Sequence, residues 1–365
     1  MKKIKIFTLL LGTTIFLGYS FSASASVIHT SSTYCPNSIA CSSDGHVFAV
    51  TANDKNDNGH IYINHKGKWV YRETYFNNKS LSAIAMSSDG MTIAVAGDIF
   101  QISANGGESW IEHISTDMAD ISSVAMSADG TTIVGLKRDS SNNSTKIMKS
   151  TDRGATWTDV SLADNFSGNA IAMSSSSTGH CSKIIIGGAT SNGEGEIAIS
   201  DDEGKSWKYI SFTEISYVSS IAVNDKTIVL AGNNDHTGCN YYDDYNGYLI
   251  ESTDGGTTWG KTIYKTSVYH INTVSISDKD KIIMAEKKID KPHSLVIKKI
   301  VSNKLETVHR FGSDEYNICC SVKISKTGGN IIATGYGYTH SPYVGTGKNS
   351  SSNGWYSGVI EKFNI

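Results

Sequence analysis

Proline is scarce in this chain, at 3 of 365 residues, and arginine is confined to Arg72, Arg138, Arg153 and Arg310. Charged side chains make up only 18% and no heptad pattern runs through them, which excludes a coiled coil and a charge-rich disordered chain. The 34 glycines follow no Gly-X-Y period, which excludes a collagen-like fibre. With 32 basic against 35 acidic side chains there is no basic excess to hold a nucleic-acid backbone, so no nucleic-acid partner is expected. No Cys-x-x-Cys pair occurs among Cys35, Cys41, Cys181, Cys239, Cys319 and Cys320, which argues against a zinc ribbon or a thioredoxin-like redox site. The 11 histidines form no His-Glu-x-x-His motif, leaving zinc catalysis without support.

Only one long apolar run exists, and it lies at the N-terminus. Met1-Lys2-Lys3-Ile4-Lys5 is a positive start, Ile6 to Leu17 an apolar segment, and Ala23-Ser24-Ala25 a small-x-small cleavage site. The run is shorter than the ~20 residues a spanning helix needs. It therefore reads as a cleaved secretory signal over residues 1–25, with Ser26 as the mature start and residues 26–365 as a single domain. The product is expected in the periplasm or outside the cell, with no membrane insertion after cleavage. Losing Lys2, Lys3 and Lys5 moves the net charge from -3 to -6, since no acid lies in the leader. Export also permits disulfides. Six cysteines allow 15 pairings, among which spacing cannot choose.

The mature chain repeats itself. A motif of the form apolar-Ala-x-Ser-x-Asp-Gly begins at Ile39, Ile84 and Val124, with weaker copies at Ile171, Ile221, Val274 and Val322. Successive intervals are 45, 40, 47, 50, 53 and 48 residues. Within a unit, Ser82 to Ser87 and Thr92 to Ala96 read as strands joined by Ser88-Asp89-Gly90, a strong hairpin signal. Two further strands and a second turn complete the unit. Four short antiparallel strands at this period predict a seven-bladed, all-β propeller of four-stranded blades. Small residues such as Ala83, Ala85, Ala94 and Ala96 fit the crowding of inner strands near the axis. The mature N-terminal segment Val27 to Ser31 is expected to supply the outer strand of the last blade and close the ring, removing two exposed edges. Cys35 would then lie near Cys319 and Cys320, and a bridge to one of them would staple the closure.

The second turn is the most specific signal. Ser150-Thr151-Asp152-Arg153-Gly154-Ala155-Thr156-Trp157 recurs with Ser200, Asp202, Gly204 and Trp207, and with Ser252, Asp254, Gly256 and Trp259. A further copy has Ser103, Asn105, Gly107 and Trp110, with Asn in place of Asp, and a decayed one ends at Trp69. Ser and Asp can hydrogen-bond the local backbone, Gly allows a left-handed residue, and Trp buries a ring between sheets. This turn resembles the Asp-box, or BNR repeat. The chain is thereby similar to the Asp-box β-propeller superfamily, which includes sialidases, xyloglucan hydrolases, sortilin-type ectodomains and photosystem assembly propellers. The resemblance implies the fold and a structural role for the box. Sialidase chemistry would further require an Arg-Ile-Pro motif and a three-arginine clamp, and the chain has no Arg-Ile-Pro and only four arginines.

Two long segments between second and third strands carry the binding candidates, because such loops line one face of a propeller. Asn233 to Tyr248 contains Tyr241, Tyr242, Asp243, Asp244 and Tyr245. Tyr336 to Tyr343 contains Tyr338, His340 and Tyr343, and leads through a Gly/Ser/Asn-rich stretch to Trp355 and Tyr356. Aromatic rings beside polar groups suit the C–H faces and hydroxyls of a sugar, and equally a protein interface. The preferred reading is an exported binding propeller for a glycan or protein ligand, without catalytic residues. The alternative is an Asp-box-type glycoside hydrolase using two loop carboxylates from Asp54, Asp57, Glu194, Glu196, Asp235, Asp243 and Asp244. A third reading is an envelope-complex scaffold. No cofactor is required, although Asp54, Asn56 and Asn58 match the start of a calcium loop.

Overall fold

The computed structural model describes residues 24–31, 34–54, 56–66, 68–76, 79–112, 119–138, 145–163, 165–175, 179–234, 246–267, 269–288, 295–302, 304–310, 318–339 and 355–364. Every regular element among them is a strand. Strand β1 covers Ser24–Ser31. Then β2 (Tyr34–Cys41), β3 (Val47–Asp54), β4 (Gly59–His65) and β5 (Lys68–Phe76) form one antiparallel sheet in that order. The pattern repeats with β6 (Leu81–Met86), β7 (Ile93–Gly97), β8 (Phe100–Ser103) and β9 (Ile111–Glu112). It repeats with β10 (Ile121–Met126), β11 (Ile133–Arg138), β12 (Thr145–Ser150) and β13 (Thr158–Ser161). Next come β14 (Phe166–Ser175), β15 (Cys181–Thr190), β16 (Gly195–Ser200) and β17 (Lys208–Phe212). They are followed by β18 (Tyr217–Val223), β19 (Ile228–Asn234), β20 (Asn246–Ser252) and β21 (Lys261–Thr266). A further sheet holds β22 (Tyr269–Ile276), β23 (Ile282–Lys288), β24 (Leu295–Val301) and β25 (Lys304–Arg310). The last strands, β26 (Ile318–Ile324), β27 (Asn330–Thr339) and β28 (Trp355–Asn364), lie in a sheet of order β1-β28-β27-β26.

The first strand of each unit packs beside the first strand of the next, from β2 to β6 and onward to β22 and β26, and β26 packs beside β2. The chain is thus a propeller of four-stranded antiparallel blades, with these strands innermost. Small side chains make the close approach possible: Ala94 and Ala96 are fully buried, with Ala83 and Ala85 nearly so. A Cβ on Gly188 of β15 would fall 1.9 Å from the Ser167 carbonyl oxygen of the neighbouring inner strand, so that position admits only glycine.

The Ser-x-Asp-Gly hairpins form as their chemistry dictates. Ser87 Oγ donates to Asp89 Oδ1 at 2.6 Å and accepts from the Thr92 amide at 2.9 Å, while Gly90 adopts φ 76°. Ser42 with Asp44 and Ser127 with Asp129 repeat this at 2.6 Å. The turns also chain together: Ser43 N donates to Ser88 O and Ser88 N to Ala128 O, at 2.9 and 2.8 Å.

Each inner strand carries an irregularity that the sequence pattern does not announce. The register shifts between Pro36 and Ser38, Leu81 and Ala83, Ile121 and Ser123, Gly168 and Ala170, Val218 and Ser220, Ile271 and Thr273, and Cys319 and Ser321. One residue is left over at each bulge. Several of these extra residues bond the next blade's inner strand just before its own bulge: Asn37 Nδ2 to Leu81 O, Ser82 Oγ to Ile121 O, and Ser219 Oγ to Ile271 O, at 2.7, 3.2 and 2.7 Å. A side-chain belt therefore joins blades where backbone pairing cannot.

Two segments differ from what their sequence predicts. The segment from Tyr336 was expected to leave the sheet as a loop, yet β27 continues to Thr339 and β28 begins at Trp355, with Tyr338 opposite Tyr356. Alternating Tyr and Gly disguised a strand pair whose partners are far apart in sequence. Glu196, expected in a loop, lies within β16 and is 7% exposed, accepting from Ser211 Oγ at 2.9 Å.

Candidate functional site

The box turns are the best-defined polar constellations. Ser150 Oγ donates to Asp152 Oδ1 and accepts from Gly154 N, both at 2.8 Å. Thr156 donates through its amide to Oδ1 at 2.8 Å and through its hydroxyl to Oδ2 at 2.6 Å. Ser200 and Ser206 treat Asp202 alike, and Ser252 and Thr258 do so for Asp254. Asn105 keeps the geometry without charge, accepting from Ser103 Oγ and Ser109 N while its amide donates to Ser109 Oγ, all at 2.9 Å. The glycine two residues after the Asp or Asn has φ near 90°, and a Cβ on Gly107 would sit 2.0 Å from Ile63 Cδ1 of the preceding blade. The tryptophan behind it folds back, Trp157 Nε1 donating to Gly154 O at 3.0 Å.

These bonds set the charge state. Thr156, then its amide and Ser150, hold the Asp152 carboxyl down at about 2, and Thr258 with Ser252 does the same for Asp254. Ser206 and Ser200 hold Asp202 lower still. Each of these carboxylates accepts from the amides and hydroxyls of its own turn and closes it. A folded pKa below the ordinary 3.8 means the stabilisation is present above that value and is lost as pH falls toward 2. The combined variant Asp152→Asn, Asp202→Asn, Asp254→Asn, which copies the uncharged Asn105 turn, is expected to flatten that loss. Thermal melts between pH 5 and pH 2 read the difference; parallel profiles for variant and wild type would refute it.

Basic side chains reach from one blade to the box of the next. His65 Nε2 lies 3.1 Å from Gly106 O, Lys149 Nζ donates to Glu203 O at 2.5 Å, and Lys183 Nζ donates to Gly255 O at 2.7 Å while pairing with Asp201. In each case the acceptor belongs to the left-handed box residue. A cavity of about 440 Å³ opens beside Lys183, Asp201, Lys226 and Asp254 at this blade junction.

Around the axis, at the end carrying the Ser-x-Asp-Gly turns, the inner strands enclose a cavity of about 210 Å³. Its wall repeats one position of the motif: Ala40, Ala85, Ala125, Ala172 and Ala222, then Ser275, then Lys323. Asn224, Asp225, Asp278 and Lys326 stand at its rim. Burial raises the Asp278 carboxyl, against the pull of Lys326 and with the push of Asp225. Sequence reading missed Lys323. The signal was present, because aligning the repeats puts a lysine where the others have Ala or Ser.

Tyr241, Tyr242, Asp243, Asp244, Tyr245, His340 and Tyr343 fall outside the described residues, as do Asp235 and Cys239. Tyr338, Trp355 and Tyr356 are placed by backbone only, on β27 and β28, where Thr339 pairs Trp355. The side chains of Cys35, Cys319 and Cys320 are likewise outside the described set, while Cys41 and Cys181 are free thiols held up at about 11 by burial. Arg72 and Arg310 lie on outer strands β5 and β25, and Arg153 is a left-handed box residue. Asp54 Oδ1 accepts from the amides of Asn56 and Asn58 at 2.8 and 2.9 Å, and Oδ2 from Asn58 Nδ2 at 2.8 Å. Those donors make a closed polar turn. Asp57 and Glu194 are exposed. Among the described residues, no three His, Cys, Asp or Glu side chains gather in a metal-holding group. Likewise, no helix there is long and apolar enough to cross a membrane.

No protein-family model and no curated protein matches the chain. Solved structures do. Kuenenia stuttgartiensis hydrazine synthase aligns over 83% of this chain and 93% of its own, at TM-score 0.62 and 12% identity. The GH74 xyloglucanase of Xanthomonas campestris aligns over 87% of this chain at TM-score 0.63 and 13% identity, and the match spans 53% of the xyloglucanase. The WD40 repeats of RRP9 align over 93% of this chain and 97% of theirs, at TM-score 0.60 and 11% identity. Proteins this different in sequence share a fold and nothing narrower, and the fold they share with this chain is the β-propeller.

Proposed function

We propose that the chain is an exported, non-catalytic binding propeller of the Asp-box type that recognises a surface glycan or a protein through the loops joining second and third strands. The observation that carries this reading is the long arm formed by β27 and β28. It extends the sheet to the Thr339–Trp355 pair and sets Tyr338 opposite Tyr356, so aromatic residues stand at paired positions at the end where those loops emerge. Aromatic residues held in register on paired strands suit a binding surface, because such rings carry large contact area with few rotatable bonds. The ring is read as seven blades sealed by the N-terminal strand, supported by the pairing of Ser26 with Lys362 through Ser31 with Gly358. Cleavage after Ala25 would leave that pairing in place, in keeping with export.

The test is a glycan array probed with the purified mature protein, run beside a panel of aryl-glycosides. Saturable glycan binding is expected, weakened at least ~10-fold by Tyr338→Ala with Tyr356→Ala, the scale of an aromatic hot spot. Turnover of any aryl-glycoside that one loop carboxylate substitution abolishes would replace this reading with the hydrolase.

A further inference from the structure

We infer that the axial cavity at the Ser-x-Asp-Gly end is a second binding site, for a small carboxylate held by Lys323. The site lies at the opposite end of the channel from the loop face and does not depend on how that face is used.

Lys323 occupies a position that five repeats fill with Ala and one with Ser. Its register is the ordinary one: Lys323 pairs Ile332 on β27 as Ala85 pairs Ala94 and Ala222 pairs Val229. The substitution therefore places a long cationic side chain at a wall position that the other repeats fill with Ala or Ser, without altering the strand. Lys323 is half-buried, and among the described residues no hydrogen bond or ion pair engages its ammonium. Partly buried lysines elsewhere contrast with it: Lys149, Lys183, Lys281 and Lys298 each donate to a carbonyl, a carboxylate or a phenol. Burial pushes the free thiol of Cys41 up to about 11, and the charge of Lys323 pulls against that rise. A half-buried ammonium with three unspent donors is completed by an anion that accepts them.

The surroundings narrow the anion. A cavity of about 210 Å³ admits a small molecule and not a glycan chain or peptide helix. At the rim Asp225 and Asp278 outnumber Lys326, so the rim disfavours a dianion while leaving a monoanion or a zwitterion acceptable. The Ser275 hydroxyl accepts from Ile324 N at 3.2 Å and keeps its proton available as a donor beside Lys323. Together these features specify a monocarboxylate, and an α-amino acid meets both signs of charge.

The experiment titrates acetate, glycine and inorganic phosphate into the mature protein, read by calorimetry and by thermal shift. Acetate and glycine are expected to bind saturably, with phosphate weaker. In Lys323→Ala, and in Lys323→Met as the uncharged variant of similar length, carboxylate affinity is expected to fall at least ~10-fold. Because Ala is what five other repeats carry, Lys323→Ala should melt no lower than wild type without ligand. The inference is overturned if no carboxylate binds saturably, if binding survives both substitutions, or if phosphate binds more tightly than acetate and glycine. Loss of glycan binding at the loop face would leave these outcomes unchanged, so the two sites fail separately.

Discussion

Replacing Lys298 with Ala lowers unfolding stability by about 3–5 kcal/mol, the scale of stranding a buried charge, because it leaves Glu286 without its counterion in the protein interior. Glu286, on β23, is fully buried. It faces Val296 in the ladder, and Lys298 lies two residues further along β24 on the same face of the sheet. The Lys298 ammonium sits 2.8 Å from Glu286 Oε2 and donates to the Tyr264 hydroxyl at 2.7 Å, also lying 4.9 Å from the centre of that ring. Tyr264 belongs to β21, the outer strand of the preceding blade, so the trio spans a blade junction. Burial works against the Lys298 charge, but its bonds to Glu286 and Tyr264 outweigh it and raise the pKa. Burial likewise raises the Tyr264 phenol.

The trio is costly to break and need not be costly to replace. Desolvating both charges consumes most of what their attraction returns. The double variant Glu286→Leu with Lys298→Met should therefore recover most of the loss, within about 1 kcal/mol of wild type by the same reasoning. Urea denaturation of the two single variants and the double one decides the matter. If Lys298→Ala is as stable as wild type, the carboxylate has found another partner and the account is wrong.

Local chemistry was legible in the sequence, and contacts between blades were not. The Asp-Gly and box turns were readable because each is closed by residues within five positions, as Ser87 with Thr92 and Asp152 with Thr156. The β27–β28 arm was not, because its Tyr-Gly alternation gives a weak strand signal and its partner lies across fifteen residues. The bulges escaped notice because a single extra Asn37 or Ser82 changes no periodicity that spans six residues. The Tyr264–Lys298–Glu286 trio is spread over two repeats, and nothing in spacing brings it together. Lys323 is the intermediate case: it is invisible in its own strand and obvious once the repeats are aligned. The box tryptophans could be assigned to blade junctions, but not to particular partners.

Those partners make the second large effect specific. Trp259→Ala should cost about 3 kcal/mol, the bottom of the range for removing a large aromatic, because the ring is only partly buried. Trp259 closes the box between β20 and β21, yet its ring packs edge-on against Phe212 of the preceding blade's outer strand, with centroids 5.4 Å apart and planes at 79°. Trp157 does the same to Phe100 of its preceding blade, at 5.0 Å and 84°. The indole nitrogen is spent within the turn, on Gly256 O at 3.1 Å, so the ring is aimed by its own box and used by its neighbour. The consequence is testable by a double-mutant cycle. Trp259→Ala and Phe212→Leu should each destabilise the fold, and together fall short of the sum by about 0.5–1.5 kcal/mol, the worth of an edge-to-face pair beyond its buried area. Strict additivity would mean that the ring merely fills space. Coupling would mean that the box holds one blade to the next, with its aspartate fixing the turn that delivers the tryptophan. That division of labour explains why Asn105 can replace the acid in one box while all four boxes keep the tryptophan. The carboxylate's task is geometric and an amide can do it, whereas the ring's task is packing, and no smaller side chain reaches the next blade.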